Sequence, residues 1–442
     1  MSPPSIEPDT TASRDDCEAR DRADPLAALR DEFVLPQRLI YLDGNSLGAL
    51  PKRTAARLAE VATEEWGQGL IRSWNDAGWI DLSRRIGDKI AALIGAGAGE
   101  VSVGDSTSVN LFKVLSAAVA LQRADAPHRK VIVSERGNFP TDLYIAESVA
   151  AASGLSLRLA ATDELPDHLD GDVAVLMLTH VNYRSGRMHD MAAVTRAAQA
   201  AGALVIWDLA HSAGAVPVAL DSADFAVGCG YKYLNGGPGA PAFLWASPRH
   251  TSRMDREGMS QPLSGWLGHA APFEFSPSYR PAAGIGRFVC GTPPVLSMAA
   301  LECGVDVFTL ADAAGGMTAL RAKSMALTSL FLERVESLCG GIGLTLASPR
   351  DANARGSQVS FAHDHGYAVM QALIEHGVIG DFRAGEASAG DDPVLAADLL
   401  RFGFMPLYTR FVDAWDAAER LQDVLRSEAW RAERFNRRSA VT

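Results

Sequence analysis

The segments Val205-Ile206-Trp207-Asp208-Leu209-Ala210-His211 and Tyr231-Lys232-Tyr233-Leu234-Asn235-Gly236-Gly237 decide the fold class of this chain. The first is an apolar strand that ends on a carboxylate, and the second places a lysine between the apolar stretches 225–228 and 242–245. Lysine is seldom buried, because desolvating an ammonium is costly, so a lysine in such a setting pairs, extends its amine to water, or reacts. We therefore expect a chemical site where these strands end.

Asp208 and Lys232 together fit pyridoxal 5′-phosphate as a cofactor. The lysine amine forms a Schiff base with the cofactor aldehyde, and the carboxylate keeps the ring nitrogen protonated so that the ring can accept electrons from a substrate. The plainer interpretation of Asp208 is a strand-end residue that caps a turn. His211 is either a neighbour of the cofactor or a structural histidine.

Apolar strands alternate with helical patterns around these segments, which predicts an α/β fold with a mostly parallel sheet flanked by helices. We assign residues 1–24 to a disordered tail, 25–50 to an amino-terminal segment, 51–310 to a large α/β domain and 311–442 to a small α+β domain. The predicted strands are 131–133, 173–179, 203–208, 225–228, 242–245, 358–361, 378–382 and 399–404. The predicted helices are 110–121, 142–151, 191–201, 295–310, 317–338, 367–376 and 410–425.

Composition limits the class of protein. The 442 residues are 48% hydrophobic, enough for a sizeable core, and the formal charge of −12 argues against nucleic acid or an anionic membrane surface as a partner. No apolar stretch approaches the ~20 residues of a membrane-spanning helix, and residues 1–24 do not resemble a secretory signal. The five cysteines are widely spaced without a Cys-x-x-Cys pair, so we expect no metal site, no disulfide framework and a reducing cytoplasm.

Two further motifs contain candidate ligand groups. Residues 105–110 (DSTSVN) precede an amphipathic helix, where hydroxyls and free N–H groups either bind a phosphate or simply cap the helix. Phe139, after the strand 131–133, either stacks on a planar ring or acts as a hydrophobic staple before a helix that begins with proline. Asp142 is either part of that site or a first-turn carboxylate favoured by the helix dipole.

Seven segments in order resemble the kynureninase family, and the resemblance covers nearly the whole chain without its tails. The segments are 41–48 (YLDGNSLG), 138–142 (NFPTD), 207–212 (WDLAHS), 231–235 (YKYLN), 265–269 (GWLGH), 290–294 (CGTPP) and 401–408 (RFGFMPLY). The resemblance implies a fold type I pyridoxal phosphate enzyme, related to class V aminotransferases, that forms a homodimer with shared active sites. It implies hydrolytic Cβ–Cγ cleavage of L-kynurenine, or of 3-hydroxykynurenine, to anthranilate or 3-hydroxyanthranilate and L-alanine, in tryptophan degradation or NAD biosynthesis.

The resemblance also implies roles for individual residues. Lys232 would bond to the cofactor and move the substrate α-proton, with Tyr231 as a proton shuttle or a phosphate ligand. Arg401 and Ser46 would bind the substrate, Arg401 through a bidentate contact with its carboxylate. The other cofactor contacts would be Thr107, Ser108, Phe139, Asp142, Thr179, Asp208 and His211, with Trp266 and Thr292 approaching the phosphate from the partner subunit.

Some features leave alternatives open. Thr292 stands where some family members carry asparagine, so the choice between kynurenine and 3-hydroxykynurenine is open. A cysteine desulfurase would share Lys232 and Asp208 but needs a mobile nucleophilic cysteine, and Cys339 is predicted at the end of an apolar helix. A non-catalytic protein on this scaffold would be expected to lack Lys232 or Arg401. A nicotinamide site is disfavoured because the glycines of 95–99 (GAGAG) follow a helix.

Overall fold

A seven-stranded sheet runs through the middle of the chain, and its strands lie side by side in the order 101–103, 243–246, 225–228, 204–208, 173–179, 131–135 and 156–160. Its central strands, Val173–Thr179 (β7), Leu204–Asp208 (β8) and Phe225–Gly228 (β9), are apolar because helices cover both faces of a mainly parallel sheet. Phe243–Ala246 (β10) pairs antiparallel with both neighbours. The predicted α/β class is confirmed.

The computed structural model describes residues 13–386, 389–390 and 392–437. Its remaining strands are Phe33–Val34 (β1), Ile40–Tyr41 (β2), Leu50–Pro51 (β3), Val101–Val103 (β4), Val131–Glu135 (β5), Ser156–Ala160 (β6), Thr345–Leu346 (β11), Gln358–Ala362 (β12), Val378–Ile379 (β13), Asp381–Arg383 (β14) and Leu399–Gly403 (β15). Its α-helices are Arg14–Ala23 (α1), Lys52–Glu60 (α2), Ser73–Asp76 (α3), Leu82–Leu93 (α4), Thr107–Asp125 (α5), Pro140–Ser153 (α6), Met191–Ala200 (α7), Pro248–Glu257 (α8), Val295–Leu310 (α9), Gly316–Cys339 (α10), Gly366–Glu375 (α11), Pro393–Ala396 (α12) and Phe411–Arg426 (α13).

The described residues form two compact units. The larger unit comprises Leu47–Tyr183 and Arg187–Leu310 and contains the seven-stranded sheet. The residues of the smaller unit fall within Met1–Ser46, Arg184–Gly186 and Ala311–Thr442. Its four-stranded sheet has the order β11-β12-β15-β14, and a second small sheet pairs β13 with β2.

The prediction of one continuous strand over residues 378–382 in the smaller unit is wrong. The structure divides it into β13, which pairs parallel with β2, and β14, which pairs antiparallel with β15. Gly380 lies between them, and a Cβ there would come within 2.9 Å of the Arg401 carbonyl oxygen. A glycine in a strand pattern often marks such a close backbone approach.

The prediction of a disordered tail is wrong for residues 14–23, which form α1; residues 1–12 lie outside the described part. Ser13 caps the helix in a capping box with Asp16. Cys17 is completely buried, and the Asp21 carboxylate accepts the N–H groups of Phe411 and Val412 at 2.7 and 3.0 Å. The charges of this segment stabilise α1 and the start of α13, which sequence composition alone could not reveal.

No helix in the described ranges is long and apolar enough to cross a membrane.

Candidate active site

A cavity of about 500 Å³ lies in the larger unit, where β7 and β8 end and where α5 and α6 begin. Nine of the predicted residues line it: Thr107, Ser108, Phe139, Asp142, Thr179, Asp208, His211, Tyr231 and Lys232. Ligands of open α/β sheets bind at this edge, because the carboxyl ends of the strands and the helix N-termini meet there. The fold thus brings together residues that are up to 125 positions apart in the sequence (232 − 107).

The Lys232 amine projects into the cavity from the loop after β9. Its Nζ atom lies 3.2 Å from His211 Nε2, 5.9 Å from the centre of the Phe139 ring and 5.7 Å from that of Tyr231. Gly48 packs against the backbone of this loop: its N–H donates to the Tyr231 carbonyl at 2.8 Å, and a Cβ there would come within 2.4 Å of the Lys232 carbonyl oxygen. The glycine is needed for this close approach.

Asp208 and Asp142 form a buried carboxyl pair, at 4% and 2% exposure. Burial raises the pKa of Asp142 well above its usual value, and the negative charge of Asp208 raises it further. Burial also raises the pKa of Asp208, opposed by the Ala210 N–H, which donates to Oδ1 at 2.7 Å, and by the positive charge of Lys232. This pair retains a proton more readily than two exposed carboxylates would.

Within the segment 105–110, one residue caps the helix and two further hydroxyl groups lie at the start of α5. Ser106 is the N-cap of α5, and its hydroxyl accepts the Val109 N–H at 3.3 Å. Thr107 and Ser108, the first two helical residues, line the cavity together with Ser106, and neither of them is the N-cap. The capping interpretation is therefore correct for Ser106, and it leaves two hydroxyls at the helix N-terminus for an anion.

Lys113, for which the sequence motifs predict no role, stabilises the turn before α5. It is 1% exposed, and Nζ donates to Asp105 Oδ2 at 2.6 Å, Phe288 O at 2.7 Å and Asn110 Oδ1 at 3.2 Å. Asp105 has a φ of +53°, in the left-handed region. The only signal in the sequence was a lysine in the middle of an apolar helix, six residues after Thr107.

Phe139, which follows β5, and Thr179, which ends β7, both line the cavity. Phe139 precedes Pro140, the first residue of α6, and its ring is 39% exposed and meets Tyr183 edge to face at 5.2 Å between centroids. The Thr179 hydroxyl donates to Asn138 Oδ1, whose own amide donates to Ser134 Oγ at 3.1 Å. The ring face of Phe139 is thus available for stacking rather than buried as a staple.

Tyr231 adjoins Lys232 and keeps its proton at neutral pH. Burial raises the pKa of this phenol, and the neighbouring Cys229 and Asp208 raise it further. A protonated phenol beside the lysine can donate a hydrogen bond or a proton.

Four predicted residues do not line this cavity. Trp266 is 36% exposed and packs edgewise on Trp74 and Phe273, and Thr292 is exposed beside a small crevice near Lys113. Ser46 and Arg401 belong to the smaller unit, where the Arg401 side chain is 1% exposed and bonded to Asp381 and Ser46. Nothing in the described residues contradicts their predicted roles, which stay predictions.

The side chains that line the cavity have the chemical groups that pyridoxal phosphate needs. Asp142 Oδ2 is buried and, among the described residues, accepts no hydrogen bond, so the carboxyl pair can accept a proton-bearing ring nitrogen. Lys232 supplies the amine, Phe139 an aromatic face, and the start of α5 an anion seat.

The alternative of a desulfurase nucleophile is not supported at Cys339. This residue is 2% exposed at the end of α10, and burial raises the pKa of its thiol to about 11. A reactive cysteine requires an exposed site and a lowered pKa.

Comparison with known proteins shows which family this chain resembles over its length. A family model described as the kynureninase C-terminal domain matches residues 320–421. A kynureninase of Burkholderia pseudomallei (strain 1106a) is 56% identical, over 97% of this chain and 100% of its own length. Among solved structures, the apo cysteine desulfurase of Thermococcus onnurineus NA1 aligns with a TM-score of 0.74 at 20% identity, over 90% of this chain and 98% of its own.

A C-DES variant with glycine covalently linked to its pyridoxal phosphate cofactor also has a TM-score of 0.74, at 17% identity, over 89% of this chain and 99% of its own. At such low identity the two solved structures show the fold alone, which is the predicted fold type I architecture. They support the desulfurase alternative no further than that. The sequence identity of 56% to a kynureninase extends over nearly the full length of both chains, and it shows that this chain belongs to the kynureninase family.

Proposed function

We propose that this chain catalyses the hydrolytic cleavage of L-kynurenine, and of its 3-hydroxy derivative, to anthranilate or 3-hydroxyanthranilate and L-alanine, with pyridoxal 5′-phosphate as cofactor. The observation that carries the proposal is the meeting of Lys232, the Asp142–Asp208 pair and Phe139 in one cavity of a kynureninase-family chain. Such a reaction belongs to tryptophan degradation or NAD biosynthesis.

Different residues of the cavity are proposed to bind different parts of the cofactor. Lys232 would bond to the cofactor, Asp208 would hold its ring nitrogen, and Phe139 would stack on its ring. Thr107 and Ser108 would bind the phosphate at the start of α5, where the helix dipole favours an anion. When bound, pyridoxal phosphate withdraws electrons from the substrate, which makes bonds near its α-carbon labile.

Lys232 and Tyr231 are the proton-carrying residues of the proposal. The Lys232 amine, when it is not bonded to the cofactor, would remove the substrate α-proton, and His211 Nε2, 3.2 Å from Nζ, would help to orient it. Water would add to the aryl ketone carbon as the bond from that carbon to the β-carbon breaks, which releases anthranilate. Tyr231, which burial keeps protonated, would donate a proton to the β-carbon. If Tyr231 only holds phosphate, Tyr231→Phe will weaken cofactor binding and leave the turnover of the loaded enzyme unchanged.

Arg401 and Ser46 are proposed to bind the substrate carboxylate. A planar guanidinium suits a carboxylate because it can donate two parallel hydrogen bonds. Arg401 is held by Asp381 and lies 3.2 Å from Ser46 Oγ, so its orientation is set before a ligand arrives. Preorganisation of this kind lowers the entropy cost of binding.

We further propose that the enzyme is a homodimer in which Trp266 and Thr292 reach the cofactor phosphate of the partner subunit. The larger unit exposes large apolar side chains, including Trp66, Ile71, Phe273 and Phe275 at 59 to 77%. Contiguous exposed apolar side chains mark interaction surfaces, and the rings of Phe273 and Phe275 are neighbours, with centroids 6.4 Å apart. All five cysteines are free, which suits a reducing cytoplasm.

Turnover of L-kynurenine tests the proposed activity. The purified protein should show a visible absorption band from the bound cofactor and should release anthranilate and L-alanine in equal amounts, measured by chromatography. Lys232→Ala should lose both properties, whereas Lys130→Ala, at an exposed position, should keep them. A visible band without any anthranilate would overturn the assignment. Rates with kynurenine and 3-hydroxykynurenine would then establish the preferred substrate.

A further inference from the structure

Arg401 lies in a cluster of charged and polar side chains of the smaller unit that we name the Arg401 cluster: Asp43, Ser46, Asp381, Arg383 and Arg401. Arg401 and Asp381 are directly opposite each other on the antiparallel strands β15 and β14, and their side chains form an ion pair at 1% and 4% side-chain exposure. Cross-strand neighbours are close enough for such a pair. Asp381 is thus placed by the sheet itself to orient the guanidinium.

The Asp381 carboxylate has several donors. Oδ2 accepts from Arg401 Nη2 and from the Ser46 hydroxyl at 2.8 Å, and Oδ1 accepts from Arg383 Nη1 and the Phe382 N–H, each at 2.7 Å. Hydrogen bonds to the charged form favour that form. These four donors stabilise the Asp381 carboxylate.

Asp43 has a different environment within the same cluster. It follows β2 and bridges to Gly403 at the end of β15, and among the described residues its buried Oδ1 accepts no hydrogen bond. Leaving an acceptor unpaired costs less free energy when the carboxyl is neutral than when it is charged. Of the two carboxyl groups, Asp43 is therefore the one that takes a proton more easily.

The charged and titratable groups that act on Asp43 come from three strands. Asp381 and Arg383 lie on β14, Arg401 on β15 and Tyr41 on β2. Burial raises the pKa of Asp43 to about 7, the charge of Asp381 adds to this, and Ser46 and the two arginines oppose it. Burial raises the pKa of the Tyr41 phenol, and the charges of Asp43 and Asp381 raise it further, so this phenol is neutral near pH 7.

Charge balance links Asp43 to ligand binding. With Asp43 ionised, the cluster contains two carboxylates and two guanidinium groups, so its charges balance. A bound carboxylate would then add a third negative charge in a site that is largely buried from water. With Asp43 protonated, the ligand carboxylate restores the balance of two and two. Unbalanced charge is expensive in such surroundings.

We propose that Asp381 positions Arg401, and that Asp43, whose carboxyl group feels the charge of the same guanidinium, takes up a proton when a carboxylate ligand binds to Arg401. The inference rests on the proposed function of Arg401 as the substrate carboxylate site. It makes Asp43 a residue that adjusts the charge of the site, not a group that touches the substrate. Above pH 7 the affinity for a carboxylate should fall, because Asp43 must first be protonated.

Calorimetry on the holoenzyme tests the proposal. The probe is the kynurenine analogue without the α-amino group, 4-(2-aminophenyl)-4-oxobutanoate, which presents the carboxylate but cannot bond to the cofactor through an α-amine. Titrations at pH 8 in two buffers of different ionisation enthalpy count the protons taken up. We expect close to one proton per site, and a Kd about tenfold weaker at pH 8 than at pH 6.

Asp43→Asn imitates the protonated carboxyl and should remove both effects. Its Kd should be the same at pH 6 and pH 8, and its proton uptake should be near zero. Asp31→Asn, an exposed position in the smaller unit, should behave like the wild type. Because the wild-type proton count needs no variant, the proposal stays testable even if Asp43→Asn fails to fold.

Two results overturn the proposal in distinguishable ways. If Arg401→Lys weakens the probe at least tenfold but the wild type takes up no proton, Arg401 keeps its proposed role and the role of Asp43 is wrong. If Arg401→Lys leaves the Kd unchanged, the proposed substrate contact fails, and the inference about Asp43 fails with it.

Discussion

Lys113→Met is predicted to destabilise the larger unit and to weaken phosphate binding. The substitution keeps most of the side-chain volume but removes the ammonium, and with it three hydrogen bonds of 2.6 to 3.2 Å. Breaking a buried ion pair costs about 3–5 kcal/mol. The Asp105 side chain is 35% exposed and can be rehydrated, so we expect the lower end, about 3 kcal/mol.

The loss should extend to the cofactor, because Lys113 holds the turn that places Thr107 and Ser108. Urea denaturation of the apo and holo forms gives the free energy of unfolding, and titration with pyridoxal phosphate gives the affinity. The double variant Lys113→Met with Asp105→Asn leaves no unpaired carboxylate, so it should recover part of the stability. A loss below about 1 kcal/mol in Lys113→Met, with unchanged cofactor affinity, would refute this reasoning.

Three further predictions concern other parts of the chain. Cys339 should resist alkylation in the folded protein at pH 7.5, because burial raises the pKa of its thiol to about 11; rapid labelling of this residue in a mass-spectrometric time course would contradict its packing. Gly48→Ala should abolish cofactor attachment, because its Cβ would lie within 2.4 Å of the Lys232 carbonyl oxygen, and an unchanged visible spectrum would count against this. Asp21→Ala should lower the stability of the smaller unit by about 1 kcal/mol, because it removes the carboxylate that accepts two N–H groups at the start of α13. An unaltered thermal midpoint would show that these two hydrogen bonds contribute nothing to stability.

Much of the fold was predictable because the central strands are apolar on both faces. The strand 173–179 was predicted with its observed bounds, and 225–228 likewise. The strand Ser156–Ala160 was missed: it lies at the sheet edge, where its residues are only partly buried, so its apolar signal is weak. Helix α1 was missed because most of its residues are charged, and their partners lie nearly 400 positions later in the chain.

The site was predictable where polar residues interrupt apolar segments. Asp208 ends an apolar strand and Lys232 follows one, so each stands out in the sequence. Lys113 and Asp43 do not, because their significance comes from partners that only the fold brings near. Asp381, for example, acts on Asp43 because β15 pairs with β14 and also bridges to Asp43 through Gly403. Asp381 was predicted only as part of the strand 378–382, and Asp43 only as part of the segment 41–48, with no role for either.

The site of cofactor attachment tests the central claim most directly. The holoenzyme is reduced with borohydride, which makes the bond between lysine and cofactor permanent, and is then digested and analysed by mass spectrometry. We predict one modified peptide, with the cofactor on Lys232, and complete loss of anthranilate formation in the reduced protein. Modification of a different lysine, or continued anthranilate formation with Lys232 unmodified, would contradict the account.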